Sequence, residues 1–141
     1  MTPDQVSQIK LSFSKVAPIA EQAAALFYGR LFEIAPEVRP MFTSTDMKEQ
    51  GRKLMGTLAV VVKGLEDLPA LMPAVNALAI RHNGYGVTAA HYAPVGAALL
   101  WTLEQGLGEG FTPAVKDAWT TAYGTLSGAM IAAAGQTTTA A

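Results

Sequence analysis

An all-α single domain is the fold class this sequence predicts, on three observations. Apolar residues recur at helical spacing over most of the chain, and no stretch alternates convincingly with period two. Proline, glycine and hydroxyl residues fall where such helices would start and stop. A length of 141 residues is that of one domain with a sizeable core.

Thr2-Pro3-Asp4-Gln5 is a helix start, with a capping hydroxyl, proline in the first turn and Gln three residues after the Thr. That helix runs to about Val16, ahead of Pro18. A second spans Ile19 to Ile34, and Pro36 starts a short helical turn toward Phe42. The polar break FTSTD precedes a long helix over 46–66. EDLPALMP opens a fourth segment that ends in Gly84 and Gly86, and Thr88 begins a fifth helix reaching Leu107. GLGEGFTP is a turn, after which Thr112 caps the last helix and Pro113 sits in its first turn. That helix ends near Ala134, so the domain covers 1–134 and GQTTTAA, 135–141, is a loose tail. The chain has no internal repeats.

Composition excludes several functions. A net charge of -1 gives no electrostatic basis for binding nucleic acid or an acidic membrane. The lack of cysteine removes disulfides, thiolate ligands and thiol nucleophiles together. The N-terminus has no apolar core of the kind a secretion signal needs, and the apolar stretches are shorter than a bilayer span. A cytoplasmic protein without a membrane span is expected.

The apolar stripes carry three polar exceptions. Leu71, Val75, Leu78 and His82 form one inward row, and Gln50, Leu54, Leu58 and Val61 another. Tyr28 lies among Ala24, Leu31 and Phe32, while Glu21, Arg30 and Glu33 take the opposite face. Each of the three inward polar groups needs a partner. The second histidine, His91, stands nine positions after His82, with Gly84 and Gly86 between them, so the two cannot form a metal pair on one helix face. No HExxH and no cluster of Asp, Glu and His surrounds either, which leaves too few ligands for zinc. Haem iron brings four ligands of its own and needs one imidazole, which suits so sparse a set, with His82 as ligand and His91 as bystander. On spacing alone, a lone inward histidine is more often a hydrogen-bonded core residue, and inward Tyr and Gln are more often ordinary buried groups.

Longer motifs narrow these alternatives. ALFYGRLFEIAPEVRPMF resembles the second-helix region of bacterial single-domain haemoglobins and of the globin domain of flavohaemoglobins. RHNGYGVTAAHY and AWTTAYG are similar to that family's proximal and last-helix motifs, and GRKLM at 51–55 fits its distal helix. The likeness runs from about residue 5 to 133 and implies a globin fold around a haem b pocket. It implies His82 as the proximal iron ligand, its other ring nitrogen donating to a backbone carbonyl near Leu78. Phe42 matches the phenylalanine wedged against the haem, and Tyr28, Gln50 and Leu54 match the distal residues. Lys53, Arg52 and His91 are the basic groups available to the propionates, though exposed basic groups are solvated by default. Val87, Val95 and Leu99 are expected to line the pocket, and each reads equally well as plain core.

The function so implied is reversible dioxygen binding, for storage, transport or delivery, with carbon monoxide and nitric oxide as further gas ligands. Tyr28 and Gln50 would donate to the bound gas, and Leu54 would exclude water. An enzymatic alternative is nitric oxide dioxygenation, with Tyr28 and Gln50 as the catalytic pair and an external reductase, since the chain is too short for flavin and nicotinamide domains. A gas sensor or a haem-free interaction module is the third reading. The sequence departs from the flavohaemoglobin pattern in two places. Tyr92 matches the tyrosine that, with a last-helix glutamate, backs the proximal histidine, but Ala134 stands at the glutamate position and no acid follows Asp117. Without that carboxylate less electron density reaches the iron, which weakens the case for dioxygenase or peroxidase chemistry. Pro94 stands one residue later than the family's usual proline, still within the first turns of its helix.

Overall fold

The computed structural model describes the backbone of residues 2–42, 45–84 and 89–140; the side chains at 82–84, 89 and 134–140 lie outside the description. Among the described residues the chain forms six α-helices joined by short 3-10 turns, without a strand: α1 (Pro3–Val16), α2 (Ala20–Ile34), α3 (Met47–Gly64), α4 (Leu68–Gly84), α5 (Tyr92–Leu107) and α6 (Pro113–Ala140). The predicted all-α class is what the structure shows, and no described helix is long and apolar enough to cross a membrane.

Local chemistry sets the helix ends. The Gln5 backbone N–H donates to the Thr2 hydroxyl at 3.1 Å, and the Gln5 side-chain oxygen accepts from the Thr2 N–H at 2.9 Å, a reciprocal box that opens α1. Asp46 accepts from the backbone N–H groups of Lys48 and Glu49, so it caps α3 from outside rather than belonging to it. The Asp67 carboxylate accepts from Ala70 N–H at the start of α4.

Two ends differ from expectation. The fifth helix begins at Tyr92 after a 3-10 turn over Ala89–His91, not at Thr88, which lies outside the described residues. Pro94 then falls in the first turn of α5, where its missing N–H would have no helical partner anyway. α6 runs on to Ala140, through most of the segment expected to be a loose tail. Adding one residue to an established helix gains a hydrogen bond without a new nucleus, so Gly135 and the threonines do not stop it.

Two apolar clusters hold the helices. The larger joins α1, α2, α5 and α6 through Ile9, Phe27, Leu31, Leu103 and Trp119, and the smaller joins α4 to α6 through Leu71, Val75, Ala79 and Met130. Trp119 donates its indole N–H to the Ser12 hydroxyl at 2.8 Å, and Ser12 in turn donates to backbone carbonyls of its own helix. Burial of these polar groups between α1 and α6 is therefore compensated. α3 packs chiefly on α2, and α4 on α6, whereas α3 and α4 meet only sparsely. The row Gln50, Leu54, Leu58 and Val61 on α3 is accordingly half-buried.

Candidate functional site

Tyr28 stands on the buried face of α2, 8% exposed, and Gln50 on the first turn of α3. The Gln50 side-chain amide donates to the Tyr28 hydroxyl oxygen at 3.2 Å. Ring edges enclose the phenol: Phe27 and Phe42 meet it near perpendicular, at centroid separations of 4.9 and 5.5 Å, favourable geometries for aromatic quadrupoles. Burial raises the phenol's pKa, and Gln50's donation opposes that rise only in part, so the group is protonated at neutral pH. With its oxygen accepting from Gln50, the hydroxyl keeps its own proton for another acceptor.

Small residues make this pairing possible. Gly51 follows Gln50, and Ala24 lies one helical turn before Tyr28. A Cβ placed on Gly51 would stand 2.9 Å from the Ala24 Cβ, closer than real side chains approach. α2 and α3 thus touch nearly backbone to backbone beside the polar pair, which brings an amide on a three-carbon stem within reach of a phenol on the neighbouring helix.

The other expected site residues divide into groups. Phe42 ends the 3-10 turn Pro36–Phe42 and packs on Phe32, with centroids 5.6 Å apart. Leu54 from α3 and Val95 and Leu99 from α5 join the same cluster as Tyr28 and Phe42. Tyr92 packs instead on the α4–α6 cluster, and burial raises its phenol pKa. Arg52 and Lys53 lie on the exposed side of α3, Arg52 paired with Glu49 at 3.3 Å. His91 is half-buried and closes the turn before α5. His82 belongs to the last turn of α4, but its side chain, like the whole of Val87, lies outside the described residues.

Phe32, grouped with Tyr28 in the sequence, completes the aromatic group around it, at 6.1 Å between centroids. Two contacts had no place in the sequence reading. Gly51 and Ala24 set the helix approach just described. Tyr123 of α6 donates its hydroxyl to the Tyr92 backbone carbonyl at 2.6 Å, across the first turn of α5. Its ring lies over Gly96, where an added Cβ would come within 2.7 Å of it. A glycine one turn into a helix, with an aromatic on the facing helix, is the only sequence signal for that last contact.

Haem fits this arrangement. It needs a broad apolar slot, an imidazole on one wall and a ligand side free of strong competitors for iron. Phe42, Leu54, Leu58, Val61, Leu78 and Val95 are apolar and only half-buried. α3 and α4, the helices that carry Gln50 and His82, pack little on each other. Among the described residues no three His, Asp or Glu side chains converge as a metal cluster of their own.

Comparison with known proteins agrees. The globin family model matches residues 25–130. The chain is 31% identical over 133 residues to a flavohemoprotein of Bordetella parapertussis, an alignment that covers 93% of this chain and 33% of that protein. It therefore spans about a third of that relative's length. A solved bacterial globin from Campylobacter jejuni superposes with a TM-score of 0.85 at 30% identity, covering 96% of this chain and 97% of the other. An aromatic-walled phenol–amide pair on two closely crossing helices, a histidine near the end of the next helix and these three likenesses lead to one conclusion: the chain belongs to the globin family and is a haem-binding bacterial globin.

Proposed function

We propose that this globin binds dioxygen reversibly at a haem b carried on His82, for storage or delivery, with carbon monoxide and nitric oxide as competing ligands. When bound, haem would supply a ferrous iron able to take up a diatomic gas. The observation that carries the reading is the hydrogen bond from Gln50 to the Tyr28 oxygen. It orients a protonated phenol so that its O–H can donate to a gas ligand with partial negative charge. A hydrogen bond to a charged acceptor contributes about 1.5–3 kcal/mol. That slows ligand release roughly tenfold to hundredfold.

The remaining residues exclude water and hold the group. Phe42, Leu54, Val95 and Leu99 present apolar surface, and His82 supplies the imidazole, with the Leu78 carbonyl one turn earlier as acceptor for its second nitrogen. Lys53, Arg52 and His91 are the basic groups assigned to the propionates in this proposal, and Val87 and Tyr92 complete the proximal side. A cytoplasmic location belongs to the same proposal.

The test is an absorption spectrum of purified protein in ferric, deoxy and carbonmonoxy forms beside His82→Ala. A Soret band that depends on His82 is expected; colourless protein that refuses haemin, or an unchanged band in the variant, overturns the assignment. Tyr28→Phe should release dioxygen roughly tenfold to hundredfold faster in stopped-flow mixing, and an unchanged rate removes the distal role.

Nitric oxide dioxygenation with a separate reductase is the second reading, supported by the likeness to a flavohemoprotein. Ala134 in place of an acid weakens it. Sustained nitric oxide consumption with a cellular reductase and nicotinamide cofactor would establish it, and a single stoichiometric turnover would not.

A further inference from the structure

Phe42 forms one wall of the Tyr28 site, yet it stands at the end of a weak element. The 3-10 turn Pro36–Phe42 runs for seven residues, about twice the usual length for this geometry. Pro40, inside it, has no N–H to donate. Its start is tied to the end of α2 by the Val38 N–H, which donates to the Ala35 carbonyl at 3.0 Å. With so weak a ladder beyond that point, side-chain contacts decide where Phe42 stands.

Two side chains of the turn meet one ring. In a 3-10 helix residues three apart eclipse one another, which puts Arg39 and Phe42 on the same side of the turn. Both contact Phe32 of α2: the Arg39 guanidinium carbon lies 5.7 Å from the ring centroid, and the Phe42 centroid 5.6 Å from it. Phe32 and Phe42 are in turn neighbours of Tyr28, at 6.1 and 5.5 Å. Among the described residues Arg39 forms no ion pair, whereas Arg30 and Arg52 are each held by a glutamate at 3.3 Å. The negative face of the Phe32 ring is the partner of this cation.

We infer that Arg39 is a positioning residue: by gripping Phe32 from the same turn that presents Phe42, it fixes that wall against Tyr28 and so the direction of the Tyr28 O–H. The effect on gas retention rests on the proposed distal role of Tyr28; the grip itself does not. An exposed cation–π contact shifts an equilibrium roughly two- to fivefold, so loss of Arg39 loosens the wall without unfolding the protein.

The ferrous carbonmonoxy protein is compared with its Arg39→Met, Arg39→Lys, Phe32→Leu, Tyr28→Phe and Arg30→Met variants. NMR reads the grip: the Phe32 ring current should move the Arg39 side-chain protons upfield, and Phe32→Leu should return them to the position of a free arginine. The infrared band of bound carbon monoxide reads the polarity around the ligand. Arg39→Met should displace this band toward its Tyr28→Phe position and speed dioxygen release roughly two- to fivefold. Arg39→Lys keeps the charge on a flexible stem and should fall between the two. Arg30 also covers a ring, that of Trp101 at 5.1 Å, but on the face of α2 away from Tyr28, so Arg30→Met should leave the band in place. A lower urea midpoint in Arg39→Met with an unmoved band, absence of the upfield shift, or an equal band displacement in Arg30→Met would each overturn the proposal. If Tyr28→Phe itself moves neither band nor release rate, the distal reading fails and takes the proposal with it. If Tyr28→Phe moves both and Arg39→Met neither, the proposal alone fails.

Discussion

The direction of one hydrogen bond governs the residue scale. Because Gln50 donates, Tyr28 retains a proton to offer; an acceptor at position 50 would take that proton instead. Gln50→Glu is therefore expected to release dioxygen roughly tenfold faster, approaching Tyr28→Phe, although the new side chain is nearly the same size. Stopped-flow displacement by carbon monoxide measures it, and a rate equal to wild type would show that the amide's polarity has no part in retention. Gly51 acts on the same pair through space. A methyl group there meets Ala24 at 2.9 Å, on a helix and not on a flexible chain end, so the helices must separate. Gly51→Ala should cost about 1–3 kcal/mol, read as a lower urea midpoint, and should also speed ligand release by loosening Gln50 from Tyr28.

At the scale of elements, α6 fixes the beginning of α5. The Tyr123 hydroxyl reaches the Tyr92 carbonyl with its ring against Gly96, where no side chain stands in the way. Gly96→Ala, which intrinsic propensity would favour, should instead destabilise by about 1–3 kcal/mol, since the blocked atoms belong to a half-buried ring whose hydroxyl is held by a hydrogen bond. Urea unfolding checks the sign, and a stabilised variant would contradict the packing described. Much of this level was legible in the sequence. Thr2 with Gln5, Pro36 and Pro113 marked starts because capping and proline chemistry act within a few residues. Tyr28 and Gln50 stood out because each is polar at an apolar register position. The Tyr123–Tyr92 contact did not, because its acceptor is a backbone carbonyl, which every residue has, and its partners are 31 residues apart. The Gly51–Ala24 approach was hidden for a different reason: among thirteen glycines and many alanines, no spacing singles out the two that touch.

The molecule as a whole has a built-in alkaline weakness. Burial raises the phenol pKa of Tyr28, Tyr92 and Tyr123 above the ordinary 10.0, and for Tyr123 the neighbouring Tyr92 adds to the rise. In the unfolded chain these phenols release their protons near pH 10, while in the folded chain they still hold them. Above that pH the unfolded state binds fewer protons, so stability is intact below about pH 10 and falls as pH rises beyond it. Urea midpoints measured upward from about pH 8 should stay level and then drop, and Tyr123→Phe should flatten the drop. A constant midpoint through this window would mean that the phenols ionise freely in the fold. The pairing of Ser12 with Trp119, 107 residues apart, has a consequence for how the protein is made. A ribosome delivers α1 long before its partner, and both apolar clusters draw on α6. Until residues 113–133 clear the exit tunnel, the nascent chain carries greasy, unsealed surfaces that only a chaperone or the wait itself can shield.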